Sequence, residues 1–226
     1  MRLKDLEAAL QDVTDFDNPN VKLEQYATSA HLASRMIYTA QSTYDDIRNK
    51  VVVDFGCGCG VLRAVSQPVF WGQGMKENSY WRGVATQSFP IYTIGLDIDS
   101  SALAIAQENI TDFEFYVDLI QTDIVTDPLL GFRGNVDTIV MNPPFGTKNN
   151  KGIDMAFLKK AIEVADRAVY SVHKSATREY ILKKAKEWNV ECEVLAQLKF
   201  DIPMKYKFHR KESVDVMVDF LRLKKK

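Results

Sequence analysis

Apolar and polar residues recur along this chain with two different periods, and the switches between them outline its elements. Leu3, Leu6 and Leu10 recur at helical spacing, so the first dozen residues read as a short amphipathic helix ended before Asn18-Pro19. After a loop, Thr28 or Ser29 can cap a second helix, in which Leu32, Met36, Ile37 and Ala40 share one face. The period then shortens. Val51–Phe55 is a β-branched run closed by glycines, the pattern of a strand buried on both faces. Runs of the same type follow at Ile91–Leu96 and Val136–Met141, with weaker ones near Phe113–Ile120 and Ala168–Val172. Helical patterns lie between them. Ser100 can cap one carrying Leu103, Ala106 and Gln107, and Asp154 one carrying Phe157, Leu158, Ala161, Ile162 and Ala165. Ile181, Leu182, Ala185 and Trp188 mark a third.

Strands alternating with helices predict βαβ units and an α/β fold with an open, mostly parallel sheet. Cys192–Phe200 and Val214–Leu223 follow one another with no helix between, so they read as an antiparallel pair completing one edge. Gln67–Pro90 breaks the pattern: three glycines, two prolines and five aromatic residues read as a long aromatic loop inserted in the domain.

Composition narrows the function. At 226 residues the chain fits a single domain, and 46% hydrophobic with 26% charged residues is the balance of a folded globular protein. A net charge of −1 announces no overall attraction to nucleic acid or an anionic membrane, so any such partner must be met by a local patch. Charges at Arg2, Lys4, Asp5 and Glu7 stand where a signal peptide needs apolar residues, and no apolar run reaches the ~18 residues of a membrane span, so an intracellular protein is expected. Cys57-Gly58-Cys59 has the wrong spacing for a zinc knuckle, Cys192 completes no set, and His31, His173 and His209 are scattered, so no metal site is expected. Asn109-Ile110-Thr111 fits a glycosylation pattern that means nothing without secretion.

Three constellations carry chemistry. In Asp54-Phe55-Gly56-Cys57-Gly58-Cys59-Gly60 a strand ends in an acid and then glycine at every second position, which lets a ligand approach the backbone closely. The dinucleotide pattern would need glycine at position 61, where Val61 stands, and the carboxylate would repel a pyrophosphate. A cationic sulfonium cofactor fits better. Asp97 closes the second strand, where such a carboxylate binds ribose hydroxyls, and Asp99 suits the start of the next helix. Asp123 after the third strand can meet an adenine amino group. The sharpest constellation is Asn142-Pro143-Pro144-Phe145 after the fourth strand. An exocyclic amino nitrogen is a poor nucleophile because its lone pair is delocalised. The Asn142 side-chain oxygen and the Pro143 carbonyl can accept its two hydrogens and aim it at a methyl donor, with Phe145 stacking on a flat substrate.

These residues resemble the motifs of class I S-adenosylmethionine-dependent amino methyltransferases. The longer strings Leu23–Tyr26, Thr43–Ile47, Asn142–Gly152 and Tyr206–His209 resemble, over nearly the whole chain, the methyltransferase-like 5 family of small-subunit ribosomal RNA adenine-N6 methyltransferases. The resemblance implies a Rossmann-like, mostly parallel seven-stranded sheet with an antiparallel C-terminal hairpin and an N-terminal helical extension over residues 1–48. It implies S-adenosylmethionine as cofactor, with Gln25, Thr28, Asp54, Gly56, Cys59, Val61, Asp97, Asp123, Ile124 and Asn142 lining its site. It also implies a small zinc-binding activator subunit as heterodimer partner, ribosomal RNA as substrate, and a nuclear and cytoplasmic location. Two departures are Ala27, where the family has proline between its Tyr and Thr, and the Gln67–Pro90 loop, where the family has a short helix-to-strand connection.

Lys148, Lys151, Lys207, Phe208, His209 and Arg210 mix cations with aromatics, as a surface for RNA phosphates and unstacked bases does. Phe113, Phe115 and Val117 alternate, so the third strand can be an apolar sheet edge suited to a partner strand. Two other readings stay open on these residues: methylation of a protein glutamine amide, and a non-catalytic scaffold that binds the cofactor.

Overall fold

A computed structural model describes residues 2–16, 18–64, 90–112, 117–127, 135–146, 150–203 and 213–226. Seven strands form one sheet in the order β3-β2-β1-β4-β5-β7-β6. They are β1 (Val51–Phe55), β2 (Tyr92–Asp97), β3 (Asp118–Gln121), β4 (Thr138–Met141), β5 (Ala168–Lys174), β6 (Val190–Pro203) and β7 (Ser213–Lys225). The first five are parallel; β7 runs antiparallel between β5 and β6. The helices are α1 (Leu3–Leu10), α2 (Ala30–Ser42), α3 (Val61–Ala64), α4 (Ser100–Asp112), α5 (Ile153–Val164) and α6 (Arg178–Glu187).

Alternation along the strands divides the core between two faces. Val52, Val140, Tyr170, Val172, Val218 and Phe220 face Leu6, Leu10, Leu32, Met36 and Ala40 of the N-terminal helices, together with Ala102 and Ile110 of α4. Val53, Phe55, Ile94, Leu96, Ile139 and Met141 face Leu158 and Ala161 of α5 and Ile181 and Ala185 of α6. Each fully buried Leu or Ile contributes about 1.5–3 kcal/mol relative to exposure, so the apolar stripe on α2 is enough to dock the N-terminal extension. Asp46, just before β1, ties that extension to the sheet. It is fully buried, accepts from the Tyr170 hydroxyl at 2.7 Å and pairs with Arg167 and Arg222. Arg222 also lies over the Tyr44 ring, 4.2 Å from its centroid.

The predicted elements are present among the described residues with four local differences. The second strand begins at Tyr92, leaving Ile91 exposed, and of the weak third run Asp118–Gln121 forms the strand, with Phe113 and Phe115 outside the described residues. Asp99, rather than Ser100, caps α4, its carboxylate accepting from the Ser101 N–H at 2.9 Å. Asp154 does not cap α5: Gly152, at φ 86°, holds the N-cap position, and Asp154 lies buried in the first turn. Residues 65–89, most of the aromatic loop, lie outside the described residues.

Strand register positions the site. Phe55 is level with Leu96 on one side and Met141 on the other, so the residues that follow them, Gly56, Asp97 and Asn142, leave three adjacent strands at the same height. Asp97 is level with Gln121, which places Thr122 and Asp123 just beyond β3. The sheet order reverses at β1, between β2 and β4, and in open α/β sheets such a switch point opens a crevice at the carboxyl ends.

Candidate active site

A cleft of ≈ 890 Å³, open on one side to solvent, lies at these strand ends. Gln25, Gly56, Asp97, Asp123, Ile124, Asn142 and Pro144 line it, with Phe16, Tyr26 and Phe157. A smaller recess beside it shares Gly56 and Asn142 and is lined also by Thr28, Asp54, Cys59 and Val61. All ten residues named for the cofactor site are therefore gathered around two contiguous hollows, although they come from segments more than a hundred residues apart.

The glycine loop is shaped by its neighbours. Gly56 and Cys57 both donate to the Leu96 carbonyl at 2.9 Å, which closes the turn against β2. Gly58 adopts φ 51° and donates to Asp97 Oδ2 at 2.8 Å; a Cβ there would stand 2.9 Å from Phe16 Cζ. Glycine is required at that position for both backbone and space. The other Asp97 oxygen accepts from the Asp99 N–H at 2.9 Å. Burial holds the Asp97 carboxyl above its ordinary value, an effect these backbone donors only partly offset. Asp123 uses Oδ1 to accept from Val125 and Thr126, and these bonds hold its pKa below the ordinary value. Burial pushes the Cys59 thiol up to about 12, so it stays a neutral, small filler.

The N-terminal segment folds over the cleft and is pinned at several points. Gln25 Nε2 donates to Asp99 Oδ2 at 2.7 Å while its Oε1 accepts from the Asn20 N–H. Asn150, past the Asn142–Phe145 tetrapeptide, donates to the Lys22 carbonyl at 2.7 Å and to Glu24. Asn109 of α4, read from sequence only as part of a glycosylation pattern, is 2% exposed and bonds both Thr14 and the Cys59 carbonyl. Phe16 and Asn109 carried no sequence signal because their partners are non-local; a buried Asn on the apolar face of α4 was the nearest clue.

The tetrapeptide is held from the same segment. Asn142 Nδ2 donates to Thr28 Oγ1 at 3.0 Å, and Asn142 Oδ1 is buried with no hydrogen-bond partner among the described residues. The Tyr26 hydroxyl donates to the Pro143 carbonyl at 3.3 Å. Pro144 lines the cleft. Phe145 is placed differently from the stacking role read from sequence. Its ring is 6% exposed and packs against Tyr26 at 5.1 Å and Phe200 at 5.7 Å, with the Lys174 ammonium over its face. Of the residues named for RNA contact, Lys151 is exposed next to α5, and Lys148, Lys207, Phe208, His209 and Arg210 lie outside the described residues. Among the described residues no group of His, Cys, Asp and Glu is arranged to hold a metal ion, and no helix is long and apolar enough to cross a membrane.

Comparison with known proteins places this geometry. Over 225 residues the chain is 46% identical to the rRNA N(6)-adenosine-methyltransferase METTL5 of Danio rerio, covering 98% of each protein. The chain belongs to this methyltransferase family. The Drosophila melanogaster member is 40% identical over 98% of this chain and 96% of its own length. A methyltransferase small domain matches residues 84–171. The crystal structure of a candidate RNA methyltransferase from Pyrococcus horikoshii is similar with a TM-score of 0.78 and 33% identity, covering 100% of this chain and 98% of that one.

Family and fold make S-adenosylmethionine the methyl donor. The residues present fit it. Asp97, Asp123 and Glu24 line the cleft with Lys22 the one lysine among its described lining residues, and Asp54 is buried in the adjoining recess, a carboxylate-rich setting that suits a cation. The close-approach glycine loop suits its backbone contacts, and the bare Asn142 oxygen suits the group that receives the methyl.

Proposed function

We propose that this chain methylates N6 of an adenosine in small-subunit (18S) ribosomal RNA, acting in a heterodimer with a small zinc-binding activator subunit. The observation that carries the reading is Asn142 Oδ1, a buried acceptor with no hydrogen-bond partner among the described residues, at the end of β4 next to Pro143. An unpaired buried acceptor costs about 1–3 kcal/mol, so its retention points to a donor that arrives with the substrate.

S-adenosylmethionine supplies an electrophilic methyl group on a sulfonium. Asp97 would hold the ribose hydroxyls and Asp123 with Ile124 would border the adenine, a reading supported by their shared place in the cleft lining. Asn142 Oδ1 and the Pro143 carbonyl accept the two hydrogens of the adenosine amino group. Two acceptors draw the nitrogen towards a tetrahedral form and return its lone pair from the ring, which is the charge arrangement of the transition state. No strong general base is needed, because attack precedes loss of the proton. A paired, stacked adenine cannot reach this position, so the substrate base must be unstacked.

The activator reading is supported by β3. It is an edge strand of four residues with Ile120 38% exposed, and an edge can take an added strand from another chain. A ribosomal RNA substrate goes with a nuclear and cytoplasmic location. The test is Asn142→Ala: turnover falls by at least ~100-fold, as when one preorganised polar partner of a transition state is lost, while affinity for S-adenosylmethionine changes little. Full turnover in this variant removes Asn142 from the reaction.

A further inference from the structure

Thr28, which the family resemblance implies as a cofactor-site residue, lines the recess beside the cleft, and its hydroxyl meets Asn142. Thr28 is buried, and its Oγ1 accepts the hydrogen bond from Asn142 Nδ2. A primary amide can be turned over with little change in shape, exchanging its acceptor for a donor. In the structure Nδ2 faces the hydroxyl, which holds the amide in place, and Oδ1 is left buried with no hydrogen-bond partner among the described residues. A turned amide would present N–H groups to an amino group that also donates, and the two would repel. Two residues earlier, the Tyr26 hydroxyl reaches the second acceptor, the Pro143 carbonyl. Its ring is wedged between Phe145 and Phe200, with centroids at 5.1 and 5.4 Å. Burial pushes the Tyr26 pKa far up, so the hydroxyl remains a donor at any working pH.

We propose that Thr28 and Tyr26 are positioning residues for methyl transfer: the N-terminal segment holds the Asn142 amide and aims the Pro143 carbonyl. The inference rests on the reading of Asn142 as an acceptor for the substrate amino group. It assigns a task to the segment between the capped turn at Val21–Leu23 and α2, whose first N–H groups are served by Ser29 rather than by Thr28. Ser29 Oγ accepts from the Leu32 N–H, which leaves the Thr28 side chain free to face Asn142.

The experiment compares Thr28→Val, Thr28→Ser, Tyr26→Phe and Asn142→Ala in full-length protein, with its partner if turnover needs it. Three quantities are read: kcat at saturating cofactor, the Kd for S-adenosylmethionine, and hydrogen exchange of the Asn142 side-chain amide by NMR without cofactor. Thr28→Val keeps the shape but removes the acceptor, so kcat falls by about 100-fold, the scale seen when one preorganised polar partner is lost. Its Kd stays within about threefold of wild type, the Asn142 amide protons exchange faster, and Thr28→Ser restores all three quantities. Tyr26→Phe lowers kcat by about tenfold, the worth of one neutral hydrogen bond, without altering Kd. Combining Thr28→Val with Asn142→Ala is no worse than Asn142→Ala alone, since the two act through one group. Unchanged kcat in Thr28→Val beside an inactive Asn142→Ala overturns this inference and leaves the site reading standing. A Kd raised with kcat intact makes Thr28 a cofactor contact instead, and active Asn142→Ala removes the reading beneath both.

Discussion

Asn109 is the best place to test whether the N-terminal segment is held to the cofactor loop by specific bonds or merely by packing. Its Oδ1 accepts from the Thr14 N–H at 3.0 Å, and its Nδ2 donates to the Thr14 carbonyl at 3.0 Å and the Cys59 carbonyl at 2.9 Å. At about 0.5–1.5 kcal/mol net for each bond, Asn109→Ala is expected to cost roughly 2–4 kcal/mol of stability. Thr14 lies two residues before Phe16, which packs on Gly58, and Cys59 lies in the loop itself. Affinity for S-adenosylmethionine therefore falls as well, by about tenfold for each 1.4 kcal/mol that the opened segment takes from the bound state. Asn109→Asp separates bonding from packing. It preserves size and one acceptor, but loses both donations and sets a buried charge against two carbonyl oxygens, so it is expected to cost at least as much as alanine. Urea unfolding followed by far-ultraviolet circular dichroism gives the stabilities, and titration calorimetry gives the affinity. A loss below about 1 kcal/mol for alanine, or an aspartate variant as stable as wild type, would refute the clamp.

Gly58→Ala combines a φ of 51° with a Cβ 2.9 Å from Phe16, so it is expected to lose about 1–2 kcal/mol in strain and to weaken cofactor binding by displacing Phe16; thermal unfolding and calorimetry read both. Asp219 is buried; although burial raises its pKa, Arg178 and Ser175 hold it below the ordinary value. A lowered carboxylate pKa contributes stability above the unfolded value and loses it as pH falls through the folded one, so Asp219→Asn is destabilising at pH about 7 and its deficit narrows below about pH 4. A deficit that stays constant across that range in urea unfolding would contradict this. Ile120→Asp on β3 is expected to abolish co-purification with the proposed activator subunit while leaving the circular dichroism spectrum and S-adenosylmethionine binding intact.

The parts of the fold that sequence revealed are those with local signatures. Val51–Phe55 followed by glycines, and Thr138–Met141 followed by Asn-Pro-Pro-Phe, announce strand ends because the β-branched runs and their terminators are contiguous. Once the sheet is parallel, in-register pairing carries Gly56, Asp97 and Asn142 to one height, and so most of the cleft follows. What was illegible depends on partners far along the chain. Thr28 and Ser29 are equally good caps by composition; Ser29 takes the role because Thr28 meets Asn142, 114 residues away. Asp154 looks like a cap, but Gly152 adopts the left-handed geometry that starts α5, and Asp154 turns inward towards His173 at 3.6 Å. Phe145 reads as a stacking platform from its place in the motif, whereas Tyr26 and Phe200, the latter from the C-terminal hairpin, enclose its ring.

The central claim is tested most directly by incubating the protein with labelled S-adenosylmethionine and purified small-subunit ribosomal RNA, with and without the activator subunit, and digesting the RNA to nucleosides. The label is expected in N6-methyladenosine, and in greater amount with the activator present. Label in another nucleoside, or none in RNA although the pair binds S-adenosylmethionine, would contradict the account and turn attention to a protein glutamine amide or to a scaffold that binds the cofactor without using it.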